Sequence, residues 1–219
     1  YTLKMKLKHI MHQIHSHLEE LVSYFRDVSE DSLSLELGHV GIISDEFTEV
    51  DFNDEFYQLT SIASSSASEQ SLNLFVIESI TTGFEMDGSI LGVAGGRPGP
   101  ALPGNMSGVL GHGVAVAVGP LRTSEWADAP ISVDSFAETS AHEIGHYLGL
   151  FHTSETGGDE HDPLADTPEC LTDFEITSEW WETCPSDAYR NVMWPYAYGY
   201  TIPLSLEQQY VASSNPLAK

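Results

Sequence analysis

Positive charge is scarce in this 219-residue chain. Eight lysines and arginines stand against 33 acidic residues, a formal net charge of −25 at neutral pH. Nucleic acid and anionic membranes are bound through basic patches, so neither is an expected partner. Four of the basic residues (Lys4, Lys6, Lys8 and Lys219) lie at the ends, leaving the middle more acidic still. The surplus reads as a solubilising surface suited to a salty medium, or as an attraction for cationic substrates and divalent ions. Cysteine is sparse too: Cys170 and Cys184 are the only two. They lack the close pairing of a zinc ribbon or a redox dithiol. Two buried thiols or a disulfide would account for them; a disulfide is expected, which implies an oxidising compartment. Long apolar runs are missing. The longest, such as "VAVAV", are strand-sized, so no membrane-spanning helix is expected. There are no internal repeats. The chain opens at Tyr1 with neither an initiator methionine nor a signal peptide, as a processed or trimmed form would.

What is present suffices for one good-sized domain: 41% of residues are hydrophobic, near the globular average. "YTLKMKL" alternates and predicts a first strand. "KHIMHQIHSHLEELVSYFRDVSE" predicts a helix, with Ile10, Ile14, Leu18, Leu21, Val22 and Phe25 at spacings of three and four. "HVGIISDEF", "LNLFVIESI" and "GVAVAVG" read as strands, the second nearly all apolar and so central. "TSIASSSASEQS" is a helix end running into a polar turn, and "GGRPGPALPGNMSG" is loop by composition. The chain after His152 is loop-rich until "SLEQQYVAS", a short final helix. The order predicts an α+β domain: a mixed sheet with two main helices on it, and a smaller irregular C-terminal lobe below a cleft.

"HEIGHYLGLFH", residues 142–152, carries the chemistry. Ser135 and Glu138 form a capping-box pattern ahead of it. His142 and His146 are about 40° apart on one helical face, while Ala137, Ala141, Ile144 and Leu148 form a nearly opposite apolar face. An i, i+4 pair of imidazoles can supply two zinc ligands. A continued helix would carry His152 about 9 Å beyond His146 along the axis. Gly149 resolves this, because a left-handed glycine ends the helix and turns the chain back. Three histidines leave a fourth tetrahedral position open, the mark of a catalytic site. Glu143, next to His142, is placed to take a proton from an attacking water and pass it to a leaving amine.

This motif, followed by "NVMWP", resembles the metzincin zinc endopeptidases, in which a long zinc motif precedes a methionine-containing turn. The resemblance implies zinc on His142, His146 and His152, Glu143 as general base, and Met193 as the Met-turn methionine, 41 residues after His152. It implies a single catalytic domain over 1–219, two-lobed, with a twisted mixed sheet and two main helices above the cleft. The upper lobe would run over about 1–149 and the lower over about 150–219. It further implies a protein or peptide substrate lying extended along the cleft, a secreted location and a monomer. "HTSETGGDEHDPLADTPEC" is similar to the pappalysin-like group, and "MWPYAYGY" to the matrixin style. Several metzincin groups have tyrosine two positions after the methionine; here Pro195 stands there and Tyr196 follows. A noncatalytic zinc-stabilised binding domain and a metal-dependent hydrolase of short peptides are the alternative readings.

Asp159, His161, Asp162, Asp166 and Thr167 form an oxygen-rich cluster just after the motif. It is either a structural calcium site, as in pappalysins, or a solvated acidic loop. His9, His12, His15 and His17 drift around the first helix and read as a solvated edge. Tyr196, Tyr198 and Tyr200 are packing residues or walls of the substrate pocket.

Overall fold

The computed structural model describes residues 2–37, 49–52, 54–63, 71–81, 90–99, 111–119, 132–171, 182–197 and 201–218, with the side chains of 2–14 outside that description. It is a mixed α+β structure. Helix α1 spans Thr2–Val28, so "YTLKMKL" opens a helix and not a strand. Its alternation is short and leads into the helical pattern with no intervening glycine or proline. Leucine, lysine and methionine are also good helix formers. Leu18, Leu21, Phe25 and Val28 are buried along one side. His15 is on the exposed edge, 3.2 Å from Glu19, whereas His17 packs edge-on against Phe136 at 5.5 Å.

Among the described residues five short strands follow: β1 (Glu49–Asp51), β2 (Leu74–Ile77), β3 (Ser79–Thr81), β4 (Gly92–Ala94) and β5 (Val114–Ala117), with helix α2 (Glu55–Ala63) after β1. "LNLFVIESI" thus yields two strands, and they serve two sheets. β1 pairs in parallel with β3, and a second sheet has the order β2-β5-β4. β2 runs parallel to β5 with Leu74 opposite Val114, and β4 runs antiparallel with Gly92 opposite Val116. Among the described residues β5, not β2, therefore has a strand on each side. "HVGIISDEF" lies outside them.

The all-apolar run of β5 follows from burial on both faces. Val114 and Val116 face the main core, with Leu18, Leu21 and Phe25 of α1. Ala115 and Ala117 face a second cluster with Val50, Phe56, Leu59, Phe75, Ile77 and Val93. The main core also takes in Phe136, Ala137, Ala141, Ile144 and Leu148 of α3 (Val133–Leu148). The expected apolar face of the motif helix is thus covered by α1 and β5 together.

The C-terminal portion is mostly irregular. It holds α4 (Ser186–Tyr189), α5 (Leu206–Ser214) and a final 3-10 turn at Pro216–Ala218. Ser205 and Gln208 form a reciprocal capping box on α5. Val192, Met193, Leu204 and Ala212 join the same core as α1 and α3, and the Asn215 amide donates to Leu148 O at 3.3 Å. A separate small cluster collects Cys170, Cys184, Ala188 and Trp194. Cys170 and Cys184 form a disulfide, with Cα atoms 4.8 Å apart. Among the described residues no helix is long and apolar enough to cross a membrane.

Candidate metal centre

The centre is assembled from one helix, one turn and one distant loop. α3 begins at Ser132, whose backbone is extended and whose Oγ accepts from Ser135 N at 3.0 Å. Ser132, not Ser135, is the N-cap. Ser135 already lies inside the first turn as the donor to that cap. The helix ends where glycine permits it to end. Gly149 has φ 113°, in the left-handed region, which a β-branched side chain adopts only with strain. Gly149 N–H donates to His146 O and Leu150 N–H to Gly145 O, both at 2.9 Å, the paired bonds of a Schellman ending. The chain is thereby reversed and His152 comes back to the helix.

Each imidazole is then oriented through its Nδ1. His142 Nδ1 donates to Val192 O at 2.7 Å. His146 Nδ1 donates to Leu150 O at 2.8 Å, so the turn that returns His152 also fixes His146. His152 Nδ1 is 3.0 Å from Glu155 Oε2. A carbonyl can only accept, so the Nδ1 of His142 and of His146 carries the proton and the Nε2 presents a lone pair. The three Nε2 atoms converge, with His146 to His152 at 3.0 Å and His152 to His142 at 3.2 Å. Nitrogen ligands about 2.0–2.1 Å from one tetrahedral zinc would be about 3.3 Å apart. Bare lone pairs facing one another at this spacing are mutually repulsive unless a cation lies between them. The donor set, its tautomers and its spacing therefore fit a zinc-type ion. Among the described residues this is the one group of three or more His, Cys, Asp or Glu side chains able to hold a metal.

The electrostatics agree. Burial pushes the His142 imidazole down to about 3 and His146 to about 2, with the neighbouring histidines adding to both effects. His152 is lowered by burial also, against the opposing pull of Glu155. These rings are neutral at ordinary pH, the form in which imidazole can ligate a metal. Glu143 is buried next to them. Burial pushes its carboxyl up to about 8, against the lowering influence of the Arg97 guanidinium. Its side chain occupies the space a Cβ on Gly92 would need, with Oε1 only 2.8 Å from that position. Strand β4 can approach α3 so closely because it begins with glycine.

The loop at Met193 closes the centre from the other side. Val192 supplies the acceptor for His142, and Met193 O accepts from Thr153 N at 3.2 Å, one residue past His152. A Cβ on Gly145 would overlap Met193 Sδ, so the sulfur sits against the bare backbone of α3. The loop is locked in turn. Asn191 Oδ1 accepts from Met193 N at 2.9 Å, and the Asn191 and Gln208 side-chain amides bond reciprocally at 2.9 and 3.2 Å. Met193 was readable from the motif, whereas Glu155, Arg97, Asn191 and Gln208 were not. An acid three residues after the last histidine, and a lone arginine in a Gly/Pro loop of an acidic chain, were the available signals.

The oxygen-rich cluster does not converge in this way. Asp162 Oδ1 accepts from Leu164 N at 3.1 Å and from the Thr167 hydroxyl. Asp166 caps α5, taking Ser205 Oγ at 2.6 Å and Glu207 N at 2.9 Å. His161 Nδ1 lies 3.1 Å from Ser154 Oγ. The residues expected to share calcium are mostly engaged separately in holding the loop to α5 and to the segment after His152. Tyr196 is half-exposed; Tyr198 and Tyr200 lie outside the described residues.

No protein-family model matches the chain, and none of the curated proteins compared with it matches.

Proposed function

We propose that this chain is a zinc-dependent endopeptidase of the metzincin type. The observation that carries the reading is the convergence of three Nε2 lone pairs beside a buried glutamate on the helix that supplies two of them. A structural staple needs the histidines but has no use for a buried carboxyl next to them. His142, His146 and His152 would hold the ion. When bound, zinc supplies Lewis acidity toward the attacking water and the scissile carbonyl. Glu143 takes the water's proton and delivers it to the leaving amine. Its burial keeps it poised, since a nearby divalent cation favours the carboxylate that burial alone disfavours. β4, beside Glu143, is the strand against which an extended peptide would lie.

In this reading 1–219 is one catalytic domain, with the metal between an upper part to about Gly149 and a lower part from about Leu150. The Cys170–Cys184 bond supports an extracellular location. The test is metal analysis together with cleavage. Purified protein should carry about one zinc, His146→Ala should lose it, and the zinc-loaded chain should cut unstructured polypeptides internally. Full zinc retention by His146→Ala, or a zinc-loaded chain that cuts no peptide, defeats the reading.

A further inference from the structure

Arg97 follows β4 in the segment 95–99 and is one of only eight basic residues. The backbone of this segment is placed without help from the arginine. Gly95 N donates to Gly113 O at 3.0 Å and Gly99 N to Tyr147 O at 2.9 Å. Gly99 also lies so close on Tyr147 that a Cβ would overlap the ring. The guanidinium is therefore held out from an anchored segment. Its Cζ lies 5.7 Å from the Phe151 ring centroid, a cation–π rest. Its Nη1 is 3.8 Å from Glu155 Oε1, an ion pair beyond hydrogen-bond reach. The other oxygen of Glu155 is occupied by His152.

Among the described residues Arg97 thus makes no hydrogen bond, and none of these residues uses its five N–H donors. Arg97, Glu155 and Phe151 are 43%, 38% and 46% exposed, so the approach is open. Glu155, which it faces, is bonded to His152 Nδ1 at 3.0 Å, and Phe151 directly precedes His152, so the guanidinium lies beside the centre. A planar guanidinium pre-positioned on an aromatic ring suits a planar carboxylate. The acidic chain as a whole repels anions, but that field is screened beyond about 8 Å at physiological ionic strength. Direct contact at Arg97 therefore decides.

We propose that Arg97 is a specificity-determining residue that binds a carboxylate of the peptide substrate beside the scissile bond, with Phe151 as its apolar rest. The carboxylate is an acidic side chain or a free C-terminus. The proposal rests on the zinc-peptidase reading.

The test compares zinc-loaded wild type, Arg97→Gln and Arg97→Lys on matched peptides. Asp or Glu is exchanged for Asn or Gln at each position flanking the cleaved bond, and every peptide is made with free and amidated C-termini. Wild type should cleave the carboxylate-bearing peptides with kcat/KM about ten-fold higher, as a charge-assisted hydrogen bond at a half-exposed site allows. Arg97→Gln should lose that preference, keep cleavage of neutral peptides within a few-fold, and retain its zinc. Arg97→Lys should keep part of the preference. A preference abolished by amidation identifies the C-terminal carboxylate; one indifferent to it identifies the side chain. No preference in wild type, a preference that survives in Arg97→Gln, or an equal loss on all peptides overturns the assignment and leaves the peptidase reading standing. Absence of any cleavage by wild type overturns both.

Discussion

Glu143 owes its character to what surrounds it. Burial raises its carboxyl to about 8, while the same burial lowers His142 to about 3. On the proposed peptidase reading, the Glu143→Ala variant should fold and bind zinc as wild type does, yet lose about 10²–10⁴-fold in peptide cleavage, the usual share of a general base. Metal content and kcat/KM measured on one preparation check this. The two shifts also have opposite consequences for metal-stripped protein. A histidine lowered on folding contributes stability above its unfolded value near 6.5 that is lost as pH falls toward 3. A carboxyl raised on folding contributes stability below about 4.5 that is lost as pH rises toward 8. Replacing Glu143 by Gln removes only the second effect. Stability of the stripped variant should therefore climb more steeply than wild type between pH 4.5 and 6.5, and should decline less toward 8. Parallel wild-type and variant denaturation curves across that range would contradict the burial of Glu143.

At the scale of elements, the end of α3 and the Met193 loop are two halves of one clamp. The space around Gly149 is ordinary: a Cβ there would meet Val211 at 3.6 Å and Pro98 at 3.8 Å. The cost of Gly149→Val therefore lies in its φ of 113°. It should destabilise by about 1–3 kcal/mol and weaken zinc binding, since the same turn returns His152 and presents Leu150 O to His146. Unchanged zinc affinity and melting in that variant would show the turn to be tolerant. The other half depends on α5. Gln208→Ala would leave the buried Asn191 Nδ2 without its acceptor, at about 1–3 kcal/mol, while Asn191 Oδ1 keeps Met193 N. It should also loosen the acceptor that Val192 offers His142. A lower melting temperature with weaker zinc retention is expected, whereas Tyr210→Ala, at an exposed position of the same helix, should leave zinc retention unchanged.

For the molecule as a whole, the main core passes through α1, α3 and the residues after the motif, since Leu204 and Ala212 pack with α1 and α3. Two clusters stand apart from it: the one of Val50, Phe56 and Ala115 on the other face of β5, and the disulfide cluster, a small unit around Trp194. Cys170 and Cys184, 14 positions apart, close a short loop, for which chain entropy gives about 3 kcal/mol. Reduction should lower the melting temperature and change the fluorescence of the buried Trp194, with a smaller change at α1. Melting that is indifferent to reductant would deny the bond a stabilising part.

Local patterns carried much of the design. The three histidines, the glutamate between the first two and the glycine that must turn back the chain were all readable. Each depends on helical periodicity or on the freedom of one backbone, and both are properties of a few consecutive residues. The α+β class, the mixed pairing of the sheet and α5 followed from the same kind of evidence. Where period and context disagreed, as in "YTLKMKL", a short alternation lost to the longer helical pattern it leads into. Tertiary structure alone decided which groups complete the centre. Val192 O lies 50 positions from His142, and Gln208 lies 17 from Asn191. Arg97 reaches Glu155 from the far side of β5 and α3 in the chain. Such partners meet only because burial of Val114, Ile144 and Met193 in one core brings their segments together, and no spacing along the chain records that meeting.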